Sequence, residues 1–377
     1  ATHAPHLSTM ADSTETSTAT ETSRAAEAAG TDEAAGAVGA VGAAAAGTAP
    51  AADRVERYIN LQRALPVIQF VALPLYWLIG RGLFGLGGWL LAAFTMLAPF
   101  ATHAVILGFG FLIAYRNQHA DPTVRNGRRR DWLIAWLNEI AVSLRAFYWL
   151  MPFRERFVAP EPVPPVVPLP VLMVHGYGCN RGLWLPASRF LAAHGYTVDA
   201  VNLAPIDGPI DRYGAVVAAG IERLRSRTGA HEVALVCHSM GGLAARAYLR
   251  DCAAAGVDPA VARLITLGTP HRGTHLARLG VGANAQQMRY GSDWLVDLDH
   301  GELGTAPATE PPALRRRITT INSLQDNIVT RPHEQRLAGA RAIVVGRIGH
   351  MSLASSRRVL RVVDRVLRRA APASRAT

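Results

Sequence analysis

Between Ala64 and Tyr115 the chain carries a single charged side chain, Arg81. Ala64–Gly80 and Gly82–Tyr115 are otherwise free of Asp, Glu, Lys and Arg, and they hold Phe70, Tyr76, Trp77, Phe84, Trp89, Phe94, Phe100, Phe109 and Phe111. About 20 apolar residues cross a bilayer core, whereas a signal-peptide core stops at roughly 7–15. A run this long and this bare of charge exceeds what a soluble core needs. It predicts an N-terminal transmembrane helical hairpin with spans at about 64–85 and 89–115 that turns through the glycine-rich Gly80–Gly88 segment. Pro66 and Pro74 kink the first span, where a neighbouring helix can satisfy the freed carbonyls.

The flanks differ sharply from this run. Residues 1–52 are Ala, Thr, Ser, Gly and acidic residues without one Phe, Tyr or Trp. Such a segment cannot bury enough apolar surface to offset its ordering entropy, and it reads as a disordered low-complexity tail. Residues 53–157 form the membrane region. Beyond the second span come Arg116, Arg125, Arg128, Arg129 and Arg130, then the aromatic-rich stretch 131–153. That stretch reads as an interfacial helix, or one packed beneath the domain that follows, because Glu139 and Arg145 argue against a third span. Six prolines in 158–170 make a stiff linker.

From residue 171 strands and helices alternate, the pattern of a parallel sheet covered on both faces. Strands are predicted at Val171–Val174, Thr197–Leu203, Glu232–Cys237, Ala262–Leu267, Arg317–Ile321 and Arg341–Val345. Helices are predicted near Trp184–His194, from a cap at Asp211 to about Thr228, over Gly241–Cys252, and over Leu353–Arg369.

Val233–Gly242 joins a buried strand to a helix through a tight turn carrying Ser239. This matches the nucleophile elbow, usually G-x-S-x-G, which lifts a serine hydroxyl into a pocket at a helix N-terminus. Gly241 fills the second small position and His238 the intervening one, but Cys237 stands where glycine is usual. On that ground Cys237→Gly is expected to be tolerated or stabilising. The first core strand runs into His175, Gly176 and Tyr177. The backbone N–H groups of Tyr177 and Met240 would converge there as an oxyanion hole, with His175 and Gly176 shaping the loop.

With these pieces in order, residues 171–355 resemble the bacterial lipase and esterase branch of the α/β-hydrolases. The matching segments are HGYGCNRGLW (175–184), CHSMGGLAARAY (237–248), LGTPHRGT (267–274), MRYGSDWL (288–295), SLQDNIV (323–329) and GHMSL (349–353). With the apolar N-terminal half, the chain is similar to membrane-anchored lipase-like hydrolases. The resemblance implies an α/β-hydrolase domain over 171–377 with a lid-like segment at 275–312. It also implies a Ser239, Asp326 and His350 triad, in the chain order of this fold. Asp293, Asp297 and Asp299 are rivals for the acid. His271 reads as a loop-stabilising residue.

The activity implied is cleavage of lipid-like carboxylic esters through an acyl-Ser239 intermediate, with no cofactor and no metal. An acyltransferase or thioesterase would share the triad, and a non-catalytic membrane module is a third reading, disfavoured by the intact triad. Apolar residues of the lid-like segment suit either an acyl chain or core packing.

The net charge of +11 comes from 39 basic residues, all arginine, against 28 acidic ones. A basic surface with no nucleic-acid motif suggests anionic membrane lipids as partners, not nucleic acid. The arginines of the final helix suit either a solvated face or such lipids. Oligomeric state is not legible. Arg54, Arg57 and Arg63 precede the first span, the Arg116–Arg130 group follows the second, and only Arg81 lies between. This puts both ends of the hairpin in the cytoplasm, with the catalytic domain on the inner face of the bacterial inner membrane. The sparse cysteines, Cys179, Cys237 and Cys252, form no disulfide framework and fit that compartment.

Overall fold

The computed structural model describes residues 62–64, 66–119, 127–303 and 313–371. The tail 1–52 and the 304–312 part of the lid-like segment lie outside the described residues.

Helical turns from Gln62 lead into α1 (Leu73–Gly82), and a glycine turn returns the chain as α2 (Gly88–His119). The helical run Gln62–Gly82, of which α1 is the last part, and α2 are each long and apolar enough to cross a membrane by length and composition. Their large side chains do not form a core: Phe70 and Trp89 are each 76% exposed. A 32-residue helix is about 48 Å long, well beyond a hydrocarbon core of about 30 Å. Its C-terminal end packs against the rest of the chain. Phe111 and Ala114 are buried there, and the Gln118 amide donates to the carbonyls of Leu324 (2.5 Å) and Thr330 (3.3 Å).

α3 (Arg129–Arg145) continues through one wide π turn, Ala146–Leu150, to Phe153. Trp132, Ala135, Glu139, Ser143, Ala146, Leu150 and Met151 recur on one face and are buried, while Leu133, Leu137, Trp149 and Phe153 are exposed. Trp132 and Ala135 pack on Phe111 and Ala114 of α2, while Glu139, Ala146 and Met151 lie against the domain that follows, the second of the two placements expected for this stretch.

The sheet has six parallel strands: β1 (Val167–Val174), β2 (Tyr196–Val201), β3 (Val233–His238), β4 (Val261–Leu267), β5 (Ile318–Ser323) and β6 (Arg341–Val345), in the order β2-β1-β3-β4-β5-β6. β1 starts inside the stretch read as linker. Pro168 and Pro170 are tolerated because the β1–β2 register is irregular between Val167 and Val171, and pairing with β3 begins only at Val171.

The covering helices are α4 (Leu185–Ala193), α5 (Asp211–Thr228), α6 (Met240–Ala254), α7 (Asp293–Leu303) and α8 (Arg357–Ala370). Two apolar clusters fill the two faces of the sheet, one around Trp184, Tyr196 and α8, the other around Tyr213, Tyr248 and α6. In α8, Val359, Leu360, Val363 and Leu367 point inward, with the arginines on the outer face.

Two local expectations are corrected. Asp211 is the first residue of α5 and not its cap, which is Ile210. Its carboxylate instead accepts from Arg250, Gln287 and Trp294. The last helix is also shorter than predicted, because a separate 3₁₀ turn, Met351–Ala354, precedes it.

Candidate active site

All six strands are parallel, so their C-terminal ends share one edge, where an open α/β sheet presents its site. Ser239 follows β3, Asp326 follows β5 and His350 follows β6.

Ser239 has φ 54° and ψ −128°, a conformation that costs an L-residue strain and is held only where the surroundings impose it. It is the N-cap of α6, and its carbonyl accepts from Gly242 N and from Thr269 Oγ1 (2.8 Å). The small residues explain the fit. A Cβ on Gly241 would stand 2.5 Å from the Val174 carbonyl oxygen, and one on Gly176 would stand 2.6 Å from Ser239 Cβ. The backbone of the β1 loop therefore passes directly beside the serine. Met240 opens α6, so its N–H is one of the four that no intrahelical acceptor takes.

Asp326 is buried in a tight turn. Its Oδ1 accepts from Ile328 N (2.9 Å) and Val329 N (2.8 Å), and both carboxylate oxygens stand within 3.0 Å of His350 Nδ1. The His350 N–H donates to Asn327 Oδ1 (3.1 Å). Burial works against a charged His350 ring, but the charge and hydrogen bond of Asp326, with Glu139 adding to them, outweigh it and raise the histidine above its ordinary value. A Cβ on Gly268, just after β4, would lie 3.0 Å from Asp326 Oδ2 and 3.2 Å from His350 Nδ1, so this glycine leaves room for the pair.

The supporting residues fall into place differently from one another. His175 ties two loops together: Nδ1 donates to the Gly176 carbonyl (2.9 Å), and Nε2 accepts from Leu203 N (3.0 Å). Burial lowers it to about 4, which keeps the ring neutral for both bonds. Tyr177 does more than contribute backbone. Its hydroxyl donates to the Val281 carbonyl and accepts from Val281 N, fastening the lid-like segment to the β1 loop. Cys237 is fully buried between Val174 and Thr266 of the neighbouring strands.

His238, read from the sequence as only the intervening residue of the elbow, has a definite function in the geometry. Its Nε2 donates to the His350 carbonyl (3.0 Å), and the two rings lie 4.7 Å apart. Nothing in the local sequence signals this, because the partner is 112 residues away.

Among the rivals for the acid, Asp299 joins a buried ionic cluster with Arg246, Arg315 and Glu302. His271 sits beside it, bonded through Nε2 to Thr266 Oγ1. The lid-like segment divides its apolar residues. Met288, Leu295 and Leu298 are core, whereas Leu279 (84% exposed) and Val281 (77%) face outward. A cavity of about 860 Å³ under the 156–170 segment lies by the N-terminal ends of the strands, away from this edge.

The sequence profile of the alpha/beta hydrolase family matches residues 171–369, and the chain belongs to that family. Within it, the chain is 37% identical over 117 residues to a triacylglycerol lipase of Pseudarthrobacter phenanthrenivorans, covering 29% of this chain and 35% of that one. Over 117 residues it is also 37% identical to a triacylglycerol lipase of Burkholderia plantarii, covering 31% of that protein. The chain thus spans about a third of the length of these curated relatives. Among solved structures, the mature Bacillus licheniformis lipase aligns with 56% of this chain and 96% of its own, at 21% identity and a TM-score of 0.45.

Proposed function

We propose that the protein is a serine hydrolase of lipid-like carboxylic esters, working against a membrane. The observation that carries this reading is that Ser239, at a strained elbow on a helix N-terminus, shares one sheet edge with the bonded His350–Asp326 pair. In this reading His350 takes the Ser239 proton as the hydroxyl attacks the ester carbon. Asp326 holds the ring tautomer and stabilises the imidazolium. The N–H groups of Tyr177 and Met240 take the oxyanion. His350 then protonates the leaving alcohol, and water releases the acyl group from Ser239 by the same route.

The lipase names of the relatives support an ester substrate, and the exposed Leu279 and Val281 beside the site suit an apolar one. The two apolar helices support a membrane tether. The arginine counts favour the cytoplasmic face of a bacterial inner membrane for the catalytic domain.

A fluorophosphonate probe tests the assignment, followed by an ester series of increasing acyl length. Labelling of the wild type, its loss in Ser239→Ala, and a preference for longer acyl chains are expected. Labelling that persists in Ser239→Ala would overturn the assignment.

A further inference from the structure

Glu139 lies on α3, outside the span matched by the family, and is fully buried. Its Oε1 accepts from Met351 N (2.6 Å). Its Oε2 accepts from Ser352 N (3.0 Å) and Ser352 Oγ (2.6 Å). These N–H groups open the 3₁₀ turn whose N-cap is His350. A carboxylate from 212 residues upstream thus caps the turn that begins at the histidine. On the other side of that residue, a Cβ on Gly349 would stand 2.5 Å from the Glu139 carboxylate, so the glycine permits the approach. Lower on the same helix, Asp131 pairs with Arg347 (2.5 Å). Two acids of α3 therefore grip the loop 347–352 from both sides of His350.

No cation pairs with Glu139 among the described residues, and a buried carboxylate without one is costly. Three donors offset part of that cost. The remaining nearby group able to carry positive charge is His350 itself, when it holds the proton taken from Ser239. We propose that Glu139 is a positioning residue for His350, fixing the backbone that follows the imidazole and favouring the imidazolium formed during the reaction. The N-terminal region is then part of the catalytic apparatus and not only a tether.

Four titratable groups stand around His350, with the Asp131–Arg347 pair farther along its loop. Asp326 faces His350 from the loop after β5, His238 from the end of β3, and Glu139 from α3; His175 stands behind His238. Burial keeps His238 and His175 neutral. Burial also raises Glu139, against the pull of its three donors and of His350, so the negative charge acting on the His350 ring comes first from Asp326 and second from Glu139 in its carboxylate form.

This inference rests on the hydrolase reading, and the test separates the two. Full-length Glu139→Gln, Glu139→Asp and wild type are compared in detergent micelles by ester kinetics and fluorophosphonate labelling rate across pH. In Glu139→Gln, either orientation of the new side-chain amide sets an NH₂ against a backbone N–H, and the charge is gone. This variant should lower kcat on the order of tenfold with KM little changed, and move the acid limb of kcat/KM about half a pH unit lower. Glu139→Asp keeps the charge but shortens the reach. It should lose rate while its acid limb stays near the wild-type position.

A folded Glu139→Gln protein with wild-type kcat and an unmoved limb would overturn the inference alone, provided the wild type labels. Equal rate losses in both variants with no limb movement would reduce Glu139 to a structural prop and also overturn it. If Glu139→Gln fails to fold, Glu139→Ala is read against Glu139→Asp in its place: an acid limb lowered in Glu139→Ala but not in Glu139→Asp supports the inference, and limbs that stay together overturn it. A wild type that the probe does not label overturns both readings.

Discussion

The Nε2–H of His238 is bonded to the carbonyl oxygen of His350, and the two imidazoles lie 4.7 Å apart, tilted by 50° to one another. The residue before Ser239 thus holds the backbone of the residue proposed to activate it. The strand end carrying the hydroxyl and the loop carrying the imidazole are pinned to each other, not merely brought near.

His238→Phe should therefore lower kcat by about tenfold at similar KM, since the loss is of alignment and not of binding. His238 is held down to about 3 by burial, with His350 adding to the effect, so it contributes no limb to the pH profile in the neutral range. Steady-state ester kinetics of the variant test both statements.

The pH dependence of activity follows from His350. Its raised value means that more of the ring is protonated at a given pH than in a free histidine. Only the neutral ring can accept the Ser239 proton, so kcat/KM should rise with pH along a limb centred above 6.5. A limb centred well below that value would contradict the Asp326 pairing.

The pH dependence of stability runs through other histidines. His175 (about 4), His238 (about 3) and His271 are all held neutral chiefly by burial, below their unfolded value near 6.5. A depressed group contributes stability that is present above the unfolded value and lost as pH falls toward the folded one. His175 and His238 should each cost on the order of 2 kcal/mol by about pH 5, and His271 adds in the same direction. His350 works in the opposite direction: its contribution is full below the unfolded value and fades as pH rises through its folded one. The three depressed histidines outweigh His350 and Glu139, which are raised and act the other way, so urea midpoints should fall between about pH 7 and about pH 5.

Cys237→Gly should destabilise. The consensus glycine of the elbow suggests a harmless change, but the Cys237 side chain is fully enclosed in the apolar cluster beneath α6. Removing it leaves a small void and adds glycine flexibility to a central strand, together about 1–2 kcal/mol. Thermal unfolding of the variant at a lower temperature, with activity retained in the cold, is the expected result.

The topology reading is open to protease treatment of spheroplasts. With both hairpin ends in the cytoplasm, residues 171–377 should survive external protease until lysis. Digestion from outside would overturn that orientation.

What the sequence made legible was local. The elbow, the His-Gly-Tyr turn and the Asp326 and His350 loops each occupy a few consecutive residues, and each turn demands particular small or polar side chains. β6 was located to the residue because its apolar run is cleanly bounded. Glu139 was visible only as an awkward charge in an aromatic helix, since its partners lie more than 200 residues away. His238 was hidden for the same reason. The start of β1 was missed because prolines signal a linker, and the irregular register that accommodates them cannot be read from composition.

The three cysteines have a consequence for anyone mapping this protein chemically. All are buried thiols, and burial pushes Cys179 up to about 12 and raises Cys237 and Cys252 as well. Thiolate, not thiol, reacts with maleimides, so the native protein should be nearly silent to them. Single cysteines could then be placed along α1, α2 and the Leu279–Val281 rim and read individually, with no need to remove the natural three. The protein supplies its own blank background for reporting which of these surfaces are reached by water.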